Sequence, residues 1–131
     1  MTTPESICVS LEMAKKLQKA GWRQRGFFWR NKNYLGWCEK LKHPATGKWF
    51  ACPTAEEILR RLPDCIEMKK FGGTQQLMIR SMEWDDYKEG RWMISYDCYE
   101  ISAEGFEFTN DSLANAAASC YCYLAEQGLL S

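Results

Sequence analysis

The sequence predicts an α+β fold, an antiparallel sheet of about 5–7 strands with three helices, in the order α-βββ-α-ββββ-α. Three stretches place apolar residues at helical spacing between a capping residue and a Gly or Pro stop. Between them the apolar period changes from helical to two. The turns that separate the period-two segments are short, and short turns join antiparallel neighbours.

The first helix starts at Ser10, a residue that caps the first free N–H groups, with Glu12 placed where the helix dipole favours an acid. Met13, Ala14, Leu17 and Ala20 recur on one side, and Gly21 is the stop. Segments 27–31 and 34–41 flank an Asn31-Lys32-Asn33 turn, and 48–52 follows the turn 43–47. The second helix opens on Thr54-Ala55-Glu56-Glu57, a capping box in which hydroxyl and carboxylate satisfy each other's backbone N–H. Ile58, Leu59 and Leu62 form its apolar side, Arg60 and Arg61 suit its C-terminal end, and Pro63 closes it. Strand segments 65–71 and 75–84 meet at Gly72-Gly73. Lys88-Glu89-Gly90 then leads into 91–101, where Trp92, Ile94, Tyr96 and Cys98 alternate with polar neighbours. A last short strand, 106–109, follows Ala103-Glu104-Gly105. The third helix runs from an Asp111 cap to about Gln127, before Gly128. Its stripe is Leu113, Ala117, Cys120 and Leu124, flanked by Ala114, Ala116, Ala118 and Ala125, small residues suited to close packing on a sheet. No repeat, linker or low-complexity tract divides the chain, so residues 1–131 are expected to form a single globular domain.

Length and composition agree with that fold. At 131 residues, 46% apolar and 26% charged, the chain can close a hydrophobic core and is neither disordered nor fibrous. No apolar run approaches the roughly 20 residues of a membrane helix. Residues 1–6 lack the basic and apolar regions of a signal peptide, so the expected compartment is a bacterial cytosol. Cysteines stand at 8, 38, 52, 65, 98, 120 and 122. An odd count without an export signal predicts reduced thiols, most of them small core residues. No C-x-x-C pair is present and His43 is the only histidine, so neither a metal nor another cofactor is expected.

Charge is balanced only in total. Residues 13–48 carry ten basic side chains and one acid, whereas 82–126 carry ten acids and two basic side chains. Either the halves neutralise each other in the fold, or the first presents a basic face to an acidic or phosphate-bearing partner.

Few residues offer catalysis. A triad would have to pass through His43, which lies in a Pro-Gly turn. There is no Walker loop and no G-x-G-x-x-G. Glu83, Asp85 and Asp86 are the residues an acidic metal site would use, and an enzyme built on them is a third-ranked alternative. No catalytic residue is assigned.

The binding candidates are Trp22, Arg23, Arg25, Trp29, Arg30, Lys32, Tyr34 and Trp37. Cations interleaved with flat rings suit phosphates and bases. The same composition, Trp and Tyr with Arg, also makes protein-interface hot spots. A net charge of zero and a pI near 6.6 disfavour a general nucleic-acid binder, so a host protein ranks first and a nucleic acid or nucleotide second. Oligomeric state is open.

Residues 10–17 with Gly21, the aromatic run Phe27-Phe28-Trp29, residues 53–63 and the Ala-rich stretch 115–124 together resemble a group of small phage and prophage proteins of gut bacteria. The likeness covers most of the chain in order, but it lies in caps and core positions, which specify a fold. It implies a phage-type origin and carries over no catalytic residue; the function expected is that of a non-catalytic accessory protein that binds a host factor, in counter-defence or host takeover.

Overall fold

In the computed structural model, which describes residues 7–24, 28–31, 35–37, 49–68, 73–81, 92–97 and 106–130, hydrogen bonds at the helix ends fix the frame. Helix α1 (Leu11–Lys19) begins where the Met13 N–H donates to Ser10 Oγ at 3.3 Å. It ends in a Schellman motif, with the Gly21 N–H donating to the Gln18 carbonyl at 3.1 Å and the Trp22 N–H to that of Leu17 at 2.9 Å. That geometry needs a left-handed residue, and Gly21 has φ +98°. Helix α2 (Ala55–Leu59) carries the capping box intact: the Glu57 N–H donates to Thr54 Oγ1 at 3.3 Å, and the Thr54 N–H to Glu57 Oε1 at 3.2 Å. Its apolar side includes Ile58, which is fully buried, while Leu62 stays buried beyond its end.

Helix α3 (Leu113–Glu126) is capped by Ser112 and not by Asp111. The preceding strand runs on to Asn110, whose Oδ1 accepts the Ser112 N–H at 2.9 Å. Ser112 Oγ then accepts the Asn115 N–H at 3.2 Å. A second Schellman motif closes α3 at Gly128, with the Leu129 N–H donating to the Leu124 carbonyl at 2.9 Å.

The strands divide into two antiparallel sheets instead of the expected one. Strands β1 (Phe28–Arg30), β2 (Leu35–Trp37) and β3 (Phe50–Ala51) form a three-stranded sheet in the order β2-β1-β3. Strands β4 (Cys65–Met68), β5 (Gly73–Ser81), β6 (Trp92–Asp97) and β7 (Phe106–Asn110) form a four-stranded meander. The break has a local cause. β3 is two residues long and runs through Cys52 into Pro53, which has no N–H, and then into α2, so no ladder continues to β4.

Helix α3 is the centre of the packing, touching α1, α2, β6 and β7. Ala114, Ala116, Ala117, Ala118, Cys120 and Leu124 are all buried, and three consecutive buried residues mean that more than one side of the helix packs against the core. Small side chains are what allow it to be enclosed by helices and sheet together. β6 contributes Ile94 and Tyr96 to this core, and Tyr96 donates from its hydroxyl to the Pro63 carbonyl at 2.7 Å. Its alternation identifies one face but not an exposed one, since Met93 and Ser95 are buried too. The N-terminal end of α1 is tied to α3 where the Ser10 N–H donates to Asn115 Oδ1 at 3.0 Å. No helix among the described residues is long and apolar enough to cross a membrane.

Candidate binding cleft

Of the eight residues singled out in 22–37, Trp22 and Arg30 turn inward and Trp29 packs partly against the core. Trp22 is 5% exposed, in the core, its ring edge-on to Tyr121 at 5.0 Å and covered by the Arg61 guanidinium at 5.2 Å. The Schellman motif accounts for this, because it turns the chain back so that Trp22 returns to the level of Leu17. Trp29 is half-buried against the core and stands between Gly36 and Ala51 in register, small neighbours that leave room for the indole. Arg30 turns inward: its Nε donates to the Val9 carbonyl at 3.1 Å, and its guanidinium reaches Cys8 Sγ at 3.8 Å. Arg23 is exposed. Trp37 lies in β2 opposite Phe28. Arg25, Lys32 and Tyr34 fall outside the described residues, as do His43, Cys38, Cys98 and the acids Glu83, Asp85 and Asp86.

Two cations and two rings do share a concave face elsewhere, in a cleft of about 600 Å³ between α1 and α3. One wall is Met13, Lys16 and Ala20 of α1, spaced i, i+3, i+7, with Lys19 beside them. The other is Ser119, Cys122, Tyr123 and Glu126 of α3, spaced i, i+3, i+4, i+7. Phe108 of β7 completes it, its ring 5.6 Å from that of Tyr123 at 54°. Each wall is the stripe flanking a core stripe. Ala14 and Leu17 hold α1 in the core, and Cys120 and Leu124 hold α3, which leaves the adjoining stripes facing across the gap.

The cleft sits under a basic edge. Lys15, Lys16, Lys19 and Arg23 are exposed in sequence order along α1 and just past its end. Lys15 also lies over the Phe50 ring at 5.7 Å. Among the described residues none of these four cations forms an ion pair, although Glu126 lines the same cleft as Lys16 and Lys19.

Thiol chemistry in and near the cleft is held back. Burial pushes the Cys122 thiol up, with Glu126 acting in the same direction and Lys16 against it. Cys120, two residues earlier and on the core side of the helix, is pushed up to about 12 by burial. Cys52 rises to about 12 for the same reason, reinforced by Cys8 and opposed by Arg30. Such thiols stay protonated near neutrality and are poor nucleophiles. Cys8, Cys52, Cys65, Cys120 and Cys122 are in no disulfide, and no group of three or more His, Cys, Asp or Glu among the described residues is placed to hold a metal.

Sequence reasoning missed this cleft because its lining comes from three separated elements. A signal was nevertheless present: Cys122 and Tyr123 fall off the apolar stripe of α3, and Lys16 falls off that of α1. No protein-family model, curated protein or solved structure matches the chain.

Proposed function

We propose that this chain is a non-catalytic binding protein of the phage accessory type, which acts in a bacterial cytosol by docking a host protein factor in the α1–α3 cleft. The observation that carries the reading is the cleft itself: a concave, largely apolar surface with Met13, Phe108 and Tyr123 inside and Lys16 and Lys19 at its edge. Apolar and aromatic contact area inside a polar rim is the anatomy of a protein interface. The thiol in it, Cys122, is pushed up by burial and is a poor nucleophile. The phage-type assignment rests on the resemblance of the caps and core positions.

Cleft-blocked protein tests the reading. Ser119→Trp places an indole in the cleft from a half-buried position on α3. Wild type and variant are immobilised side by side and exposed to a lysate of gut bacteria, with circular dichroism checking that both are folded. A protein retained by wild type and lost by the variant is expected. Identical retention by both, or retention by neither, refutes the proposal.

A further inference from the structure

The geometry points to the chemistry of the partner: the cleft takes an acidic amphipathic peptide segment, with apolar side chains against Met13, Phe108 and Tyr123 and carboxylates on Lys16 and Lys19. This inference rests on the proposed binding function and narrows it to one occupant.

Charge is the first ground. Lys15, Lys16, Lys19 and Arg23 put four exposed cations along one edge, and among the described residues none is in an ion pair. A partner lying along α1 therefore meets four cations that no ion pair occupies, with Glu12 on the same helix and Glu126 on the facing wall as the acids nearby in sequence or lining. Glu126, on the opposite wall, disfavours a ligand that is anionic on all sides, such as a nucleic-acid strand. It suits one whose acids lie on a single edge. Shape is the second ground. The walls are stripes of two helices, each about two turns long, which suits a groove that receives a helix with anchors at i, i+3 or i+4, and i+7. The aromatic pair is the third. Phe108 and Tyr123 are tilted against each other, with rings 5.6 Å apart, so their packing partner is already in place and they offer edges and flanks to aliphatic side chains. Open faces for base stacking would require the rings to stand apart.

The probe is a library of random dodecapeptides selected on the immobilised full chain. Selected peptides are expected to carry at least two more acids than bases, with apolar residues at helical spacing. The strongest is then titrated by fluorescence anisotropy against wild type, Lys16→Glu/Lys19→Glu and Ser119→Trp. Two exposed carboxylate contacts turned repulsive should weaken binding about tenfold or more, and raising the salt should weaken wild-type binding in parallel. Because both lysines also suit the C-terminal dipole of α1, Lys16→Gln/Lys19→Gln is measured alongside and should fall between. If Ser119→Trp proves unfolded, Ala20→Trp blocks the cleft from the other wall.

The outcomes separate the two readings. Peptides that lose binding to Ser119→Trp but bind the charge-reversed variant normally overturn the acidic occupant and leave the cleft as a binding site. Peptides that bind all variants equally overturn both. A neutral or basic consensus, or no enrichment at all, overturns the acidic peptide. So does a labelled oligothymidylate that binds wild type with comparable strength and is lost on charge reversal.

Discussion

Tyr96 joins the two ends of the core, and its hydroxyl can be removed without disturbing its packing. The side chain is fully buried in β6, and its hydroxyl donates to the Pro63 carbonyl at 2.7 Å, across 33 residues of sequence. Tyr96→Phe keeps the ring and deletes the bond. The Pro63 carbonyl is left without this donor, and Pro63 is only half-buried, so water recovers part of the loss. The expected cost is about 1–2 kcal/mol, toward the low end of what an orphaned acceptor brings. For a domain of this size that lowers the melting temperature by roughly 3–8 °C. Urea denaturation followed by tryptophan fluorescence measures it directly, with an unchanged slope showing that the fold has not changed. A second signature separates the hydroxyl from mere ring packing. Burial, reinforced by the negative charge Cys120, Asp64 and Cys65 would carry, raises the Tyr96 pKa above its ordinary value. A group raised in the folded state contributes stability that is complete below the unfolded value, near 10, and fades as pH climbs beyond it. Wild type should therefore lose its advantage over Tyr96→Phe from about pH 10 upward. A stability difference below about 0.3 kcal/mol at pH 7 would refute the latch between β6 and the end of α2.

Other perturbations test the remaining framework. Thr54→Ala removes the oxygen that accepts the Glu57 N–H and should cost about 0.5–2 kcal/mol, read as a lower melting temperature. A thiol reagent should label exposed Cys65 first and half-buried Cys122 more slowly, while Cys8, Cys52 and Cys120 react only on unfolding, when all seven cysteines of the chain become titratable. Rapid labelling of Cys120 in the native protein would contradict its place in the core. Cys52 and Cys120 both rise to about 12 in the fold, so their contribution is complete below the unfolded thiol value and is lost as pH climbs. From about pH 8.5 to 10 each should cost the wild type roughly 1–2 kcal/mol, and Cys120→Ala should show a shallower alkaline decline in denaturant midpoint. Equal slopes would remove Cys120 as a source of that decline.

The helix ends were legible because their chemistry is local. Ser10, Thr54, Gly21 and Gly128 each act within one turn of where they stand, and the structure places each in that role. The Asp111–Ser112 discrepancy is of the same kind. Both residues can cap, and the choice fell to how far β7 runs, which depends on its pairing with β6. The division into two sheets was not legible, because strand segments read one at a time do not say which edges meet. Pro53 marks the end of a ladder only once β3 is known to stop beside it.

The same distinction governs the candidate site. In 22–37 the rings and cations are adjacent in sequence, but adjacency along a strand or turn does not make a shared surface. Trp22 follows Gly21 by one residue, and the Schellman turn that Gly21 permits is what carries the indole into the core. Arg30 stands on a strand beside Cys52, where the nearest acceptor for its guanidinium is the inward Val9 carbonyl. Lys16, Phe108 and Tyr123 have no sequence neighbourhood in common, and they meet because α3 is small enough along its length to be enclosed by α1 on one side and β7 on another. The alanines of α3, which carry no chemistry, thus decide where the chemistry is.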